Sequence, residues 1–370
     1  MVSDKISQSN NILVINMGGT INMKEENGMF VTVKDHMFNL INSELEKFNH
    51  IFYLDKNNQD LNKEEEVKFL SKITYKTGKF NNFSTSLYYL ENDVLIDSVE
   101  SNFSEIDIVF DKIQKNNTFD NIIILYGTDT VSHLSSALFF KLKMENLKKK
   151  IFFVTSGTPI SKDPKEFVNF LNSIILIDVL TYNKKSLLKN YDFSDVFICY
   201  GRYLHFGINS SKISAKSLDS FHSKNQKKLP NITEKEENIE KVLDDFDKIK
   251  PFEIDNFDSF ELKELNIKKN IGIFIFYPGN AHIKNSDLDV FDSIIILTYG
   301  SGSSPSKDKK LLEKINSFKR KIIILSQCCD SIIDSSYESG HEFLKNIDSD
   351  NIFIPQYLSL PGAISLLLFQ

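Results

Sequence analysis

The sequence predicts an α/β protein of two domains, each built on a mainly parallel sheet. Three observations lead there. Short runs rich in Ile, Val and Phe recur along the chain and are apolar at every position, not at alternate ones. Such runs suit strands buried on both faces. Amphipathic helical stretches lie between many of them, and strand–helix alternation implies right-handed βαβ units. Finally, 370 residues exceed what one ordinary core holds.

In chain order, the strand-like runs are 12–15, 122–125, 151–154, 196–199, 271–276, 294–297 and 322–325. The clearest helical stretches are 131–143, 164–177 and 309–319. Residues from about 50 to 83 read as an insertion, with clustered Asn and the charged run Asn62-Lys63-Glu64-Glu65-Glu66. Residues 223–269 are rich in Lys, Glu and Asp, with one short helical pattern near 239–246, and read as a charged linker. The expected division is an N-terminal domain, 1–222, carrying the active site, and a smaller domain, 270–370.

Composition narrows the function classes. Apolar residues make up 41% and charged residues 25%, as in soluble globular chains. A net charge of −6 lacks the basic balance of a nucleic-acid binder. No apolar run approaches the roughly 18 residues of a membrane span, and the first residues hold no apolar signal-peptide run. Cys199, Cys328 and Cys329 lack the paired spacing of a zinc site or a disulfide framework. A cytoplasmic protein is expected, with neither nucleic acid nor membrane as partner.

The residues just after the strand-like runs carry more information. Gly18-Gly19-Thr20 follows the first run, and Gly127-Thr128-Asp129-Thr130 follows the second. Thr155-Ser156-Gly157-Thr158 and Tyr299-Gly300-Ser301-Gly302 follow two others. Ligands bind at this edge of open α/β sheets. Each element also has a plainer reading. Gly18-Gly19-Thr20 could be a structural or phosphate-binding turn, although it does not continue as G-x-G-x-x-G. The Thr and Asp residues of Gly127-Thr128-Asp129-Thr130 could simply cap a helix. Lys212, in a polar loop, could be solvated; beside a hydroxyl, a lysine can act as a base.

Taken together, these segments resemble the cytoplasmic (type I) bacterial-type L-asparaginases over nearly the whole chain. Met17-Gly18-Gly19-Thr20-Ile21 is similar to the first threonine motif, T-G-G-T-I. Leu95-Ile96-Asp97-Ser98 is similar to the segment whose serine grips the substrate α-carboxylate. Tyr126-Gly127-Thr128-Asp129-Thr130 is similar to H-G-T-D-T, and Phe206 to Lys212 to the segment of the active-site lysine. Phe276-Tyr277-Pro278-Gly279, 299–305 and Leu325-Ser326-Gln327-Cys328 match features of the second domain.

The resemblance implies a two-domain asparaginase-like fold with a smaller flavodoxin-like C-terminal domain. It implies hydrolysis of L-asparagine to L-aspartate and ammonia through a β-aspartyl-enzyme intermediate. Thr20 is then the nucleophile, and Lys212 moves a proton through Thr128. Asp129 pairs with the substrate ammonium, and Ser98, with Asp97 beside it, holds the carboxylate. No metal or organic cofactor is implied, and a homodimer or homotetramer is. Some type I members also bind asparagine at a regulatory site near the start of the small domain, close to Cys328 and Cys329 in motif order. An amidase subunit serving misacylated tRNA ranks lower, because it would bring an extra N-terminal domain.

The departures lie near the chemistry. The family's loop tyrosine falls at Phe30 or Met29, neither of which carries a hydroxyl. Tyr126 stands for the motif histidine, Met17 for a threonine and Lys165 for an aspartate. Tyr126 is the candidate to replace the missing phenol. The alternative reading is an asparaginase-like protein that binds asparagine as a sensor or regulator without turning it over.

Overall fold

The computed structural model describes residues 8–48, 53–55, 67–77, 80–182, 194–201, 203–217, 219–225, 229–230, 255–257, 260–279, 281–334, 336–347 and 350–370. Its larger sheet has nine strands. The centre is parallel: β1 (Gln8–Gly18) lies between β6 (Phe80–Ile96) and β7 (Asn121–Leu125), followed by β8 (Lys150–Val154) and β9 (Asp195–Tyr200). Antiparallel strands close both edges. On one side β10 (Tyr203–Phe206) and β13 (Leu229–Pro230) follow β9; on the other β5 (Lys68–Thr77) and β4 (Tyr53–Asp55) follow β6. Two small ribbons stand apart, β2 (Met23–Glu26) with β3 (Met29–Thr32) and β11 (Ser210–Lys212) with β12 (Phe221–Ser223). A second sheet, in the order β14 (Ile271–Ile275), β15 (Ser293–Thr298), β16 (Ile322–Ser326), β17 (Ile352–Phe353), is parallel throughout.

The helices are α1 (His36–Lys47), α2 (Glu105–Lys115), α3 (Val131–Met144), α4 (Phe167–Tyr182), α5 (Ala281–Asn285), α6 (Lys309–Ser317), α7 (Glu338–Lys345) and α8 (Leu360–Leu368). None among the described residues is long and apolar enough to cross a membrane.

The apolar runs became strands for the expected reason. Ile12 to Ile15 in β1 and Ile122 to Leu125 in β7 have no exposed surface. Burying each such side chain contributes about 1.5–3 kcal/mol. The run 271–276 departs from the expectation of burial on both faces. β14 is an edge strand, and Ile273 and Ile275 turn outward at 43% and 47% exposure. The helical stretch at 164 opens with a 3-10 turn, Pro164–Glu166, before α4, because Pro164 is preset for a first turn. The stretch 50–83 supplies β4, β5 and the start of β6; its charged run 62–66 lies outside the described residues. In the stretch 223–269, β13 joins the larger sheet, and Phe257 and Phe260 are buried in the main core. The helical pattern near 239–246 lies outside the described residues.

Side-chain alternation along β15 and β16 joins the two sheets. Ile295, Leu297, Ile323 and Leu325 belong to the main core, whereas Ile294, Ile296, Ile322 and Ile324 pack with α6 and α7 residues in a second core. Helix α8 returns to the larger sheet and packs on α3.

Candidate active site

The carboxyl edge of the larger sheet gathers the predicted residues. Gly18 and Gly19 end β1 at φ +106° and +79°, backbone that a side chain rarely adopts. The space is as restrictive as the angle. A Cβ on Gly19 would stand 2.2 Å from the Gly127 nitrogen, and one on Gly127 2.2 Å from the Ser98 Oγ. These glycines therefore let the Thr20 turn, the Ser98 turn and the Thr128 turn meet backbone to backbone. The Gly19 N–H also donates to the Ile96 carbonyl at 2.9 Å, two residues ahead of Ser98.

A buried network holds the Thr20 turn from below. Asn16, fully buried in β1, accepts from the Gly18 N–H at 3.1 Å and donates to Tyr89 Oη and Glu91 Oε1 at 2.9 and 3.0 Å. Glu91 then accepts from the Tyr89 hydroxyl and, with its other oxygen, from the Asp35 N–H, both at 2.8 Å. Burial, and then the Glu91 charge, push the Tyr89 phenol well above its ordinary range. Nothing in the sequence pattern marks this network, because its members come from three separate elements.

The second threonine lies deeper. Thr128 is 7% exposed and Ser98 2%. The Asp129 N–H donates to Ser98 Oγ at 3.4 Å, and Thr130 Oγ1 donates to the Ser98 carbonyl at 2.9 Å. The capping reading of Gly127-Thr128-Asp129-Thr130 is realised in position only: Thr130 occupies the N-cap position of α3 but makes no side-chain cap. Asp97 is exposed and accepts from the Val99 N–H at 3.2 Å, which caps the short turn bearing Ser98.

Lys212 reaches this cluster from 84 residues away. Its Nζ donates to Thr128 Oγ1 at 2.8 Å and to Asp129 Oδ1 at 2.7 Å. The lysine side chain is 23% exposed and the aspartate 49%, so the ion pair adds only about 0–1 kcal/mol. Its consequence is placement. The segment ahead of Lys212 is clamped from two sides: Ser136 Oγ in α3 donates to the Gly207 carbonyl at 3.1 Å, and Ser359, at the N-cap of α8, donates its N–H and hydroxyl to the Ile208 carbonyl at 3.1 and 2.9 Å.

Tyr126 does not take the place of the absent loop phenol. Its ring is fully buried, and its hydroxyl is engaged by Glu105 Oε2 at 2.7 Å, by Ser101 Oγ and by Thr130 Oγ1 at 3.4 Å. A buried hydroxyl needs partners, and these hold it beneath the second motif. Burial raises this phenol above its ordinary range. Phe30 and Met29 lie on β3, across an Asn27-Gly28 turn that falls outside any apolar run. Phe30 sits under the Lys162 ammonium, 4.7 Å from the ring centroid, and Met29 is 66% exposed. Ser161 Oγ donates to the Met23 carbonyl at 2.8 Å, tying the hairpin to the loop after β8.

That loop is anchored by Glu166, which accepts from the Gly157 N–H and from Asn169 Nδ2. Burial, then the Asp163 charge, raise its carboxyl to about 7. Among the described residues no group of three or more His, Cys, Asp or Glu side chains is placed to hold a metal ion.

Known proteins resemble this chain in sequence and fold. The family described as "Asparaginase, N-terminal" matches residues 11–244. The L-asparaginase of Dirofilaria immitis is 25% identical over 340 residues, 89% of this chain and 52% of that protein. L-asparaginase 1 of Escherichia coli K12 is 25% identical over 229 residues, 60% of this chain and 61% of that protein. The chain thus spans about half to three-fifths of the length of these relatives. The crystal structure of L-asparaginase I from Vibrio cholerae superposes with a TM-score of 0.65 at 20% identity, covering 98% of this chain and 92% of that one. The two-domain α/β fold is therefore shared.

Proposed function

Because this chain belongs to the asparaginase family, we propose that it hydrolyses L-asparagine to L-aspartate and ammonia. Thr20 Oγ1 attacks the side-chain amide carbon; its proton passes to the Thr128 oxygen as the Thr128 proton passes to the Lys212 nitrogen, which acts in this step as the free amine and then gives the proton to the leaving nitrogen. The C–N bond breaks, the nitrogen takes up a proton, and ammonia departs from a β-aspartyl ester. Water then cleaves that ester and restores the Thr20 hydroxyl. Asp129 binds the substrate ammonium, and Ser98 receives the carboxylate, on a turn that Asp97 caps through the Val99 N–H. Backbone N–H groups at Thr20 and Thr128 would donate to the negative charge that develops on the amide oxygen.

One observation carries this reading: the Lys212 ammonium lies 2.8 Å from the Thr128 hydroxyl while also holding Asp129. A proton path and an ammonium-binding carboxylate are thus joined at one point. A second reading, an asparagine-binding protein without turnover, is favoured by the apolar side chains at Met29 and Phe30. Ammonia release from asparagine by the purified chain and by Thr20→Ala separates the two. Hydrolysis expects steady release that the variant loses. Saturable asparagine binding with no release in either protein overturns hydrolysis in favour of the second reading.

A further inference from the structure

Thr20 and Ser98 stand on strands that part at one point. Asn16 of β1 lies opposite Glu91 of β6 as their last regular pair, and the register then breaks, with Gly18 opposite Ile96. β6 takes up the extra length in a bend closed by Asn92, whose Nδ2 donates to the Val94 carbonyl at 2.7 Å. From this fork β1 runs to Thr20 and β6 to Ser98. Partners across a strand pair share a face, as do residues two apart on one strand. Asn16, Glu91 and Tyr89 therefore meet on one side of the sheet.

Each bond of this trio points at a different part of the site. Asn16 spends its oxygen on the Gly18 N–H and its Nδ2 on Tyr89 and Glu91. Glu91 Oε1 accepts from Asn16 and from the Tyr89 hydroxyl, while Oε2 accepts from the Asp35 N–H. Asp35 lies three residues beyond the hairpin strand β3, at φ +58°. That left-handed conformation is uncommon for a residue with a side chain, and Asp35 makes no side-chain cap on α1 that would explain it. The Tyr89 ring is set edge-on to Phe38 of α1, with centroids 5.4 Å apart. Among the described residues Glu91 makes no ion pair. Its charge is held by hydrogen-bond donors alone, and such charge-assisted bonds fix the donors in place.

We propose that Glu91 is a positioning residue for Thr20: through Asn16 it sets the glycine turn that aims the hydroxyl, and through the Asp35 N–H it ties the exit of the β2–β3 hairpin to the same point. Movement of the hairpin is thereby felt at the Thr20 turn. The role of Glu91 is geometric, and it exchanges no proton with Thr20. Its effect on turnover rests on the hydrolysis reading; the tie between hairpin and turn does not.

The test moves the charge across the strand pair. Asn16→Asp keeps the acceptor for Gly18 but sets a second carboxylate against Glu91. Glu91→Gln keeps an acceptor for Asp35 but turns an amide donor toward the Asn16 amide donor. In the double variant the new amide donates to the new carboxylate, and the Gly18 and Asp35 N–H groups keep their acceptors. All are compared well below their melting temperatures, where circular dichroism shows them folded. In each single variant kcat for asparagine should fall by about 10², with KM within about threefold of the parent. The double variant should recover to within about tenfold of the parent. Hydrogen exchange over residues 18–35, read by mass spectrometry, should quicken about tenfold in each single variant and slow again in the double one. Folded single variants that keep kcat, or a double variant no better than either, overturn the positioning role. Unchanged exchange in folded single variants overturns the tie. Where a single variant does not fold, Tyr89→Phe, which removes one donor and keeps the ring, should lower kcat about threefold; full activity overturns the role. The exchange decides the tie even in a chain that releases no ammonia.

Discussion

The two halves of the candidate site are built differently. The half around Thr128 is assembled from the sheet and α3 with buried, mutually bonded side chains: Ser98, Thr130, Tyr126 and Glu105 behind it, Lys212 across it. The half around Thr20 is fixed at its base by glycine backbone and Asn16, but its outer wall is the β2–β3 hairpin. That hairpin is fastened by a Ser161 hydroxyl and by Lys162 lying over Phe30. The surroundings of Thr128 and Lys212 are therefore built rigidly, while the cover over Thr20 hangs on surface contacts. Cation–π contacts of this exposed kind give about 0.5–1 kcal/mol, so the cover is the part that substrate can reorganise.

The contrast can be broken most severely at Lys212. Lys212→Met should lower kcat for asparagine by about 10²–10⁴. Its melting temperature should barely move, because the ion pair it loses is half exposed. Activity within tenfold of the parent would remove the proton path. A smaller effect of opposite sign is expected on the hairpin side. Phe30→Tyr returns a phenol to the cover and should raise kcat by on the order of tenfold, with KM little changed. Steady-state ammonia release reads both numbers, and an unaltered or lower kcat would detach the hairpin from Thr20.

The smallest effect belongs to Glu166, beneath the loop that fastens the hairpin. Its folded carboxyl titrates at about 7 against an ordinary 4.5. Between those values the folded chain binds more protons than the unfolded one, so its contribution to stability is present at low pH and falls as pH rises through 7. Glu166→Gln should flatten that part of the profile. Melting temperatures at pH 5 and pH 8 check it: the parent should lose more than the variant, and parallel losses would contradict the raised value.

Much of this architecture could be read from the chain alone. Strands such as Ile122 to Leu125 declare themselves because they are apolar on both faces, and the clustered Gly and Thr mark the edge where they stop. Segments with one exposed face were harder to read. β5, with Lys68, Lys72 and Thr74 among its apolar residues, sits in what looked like an insertion, yet it pairs with β6 along most of its length. The hairpin had its own signal in Asn27-Gly28, outside any apolar run. The hydroxyls and Lys212 were legible as motifs, but their meeting was not, since it depends on α3 and α8 gripping the Gly207 and Ile208 carbonyls. Tyr126 shows the opposite limit. Its residue type suggested a substitute phenol, and only its burial beside Glu105 reveals a supporting post.

The clamp at Ile208 has a consequence for how the chain matures. Ser359 lies about 150 positions downstream of the carbonyl it holds. During synthesis the lysine segment emerges long before that serine does. The nascent chain can complete its central strands early, but the arrangement that brings ammonium to hydroxyl is finished only when α8 has left the ribosome and docked on α3.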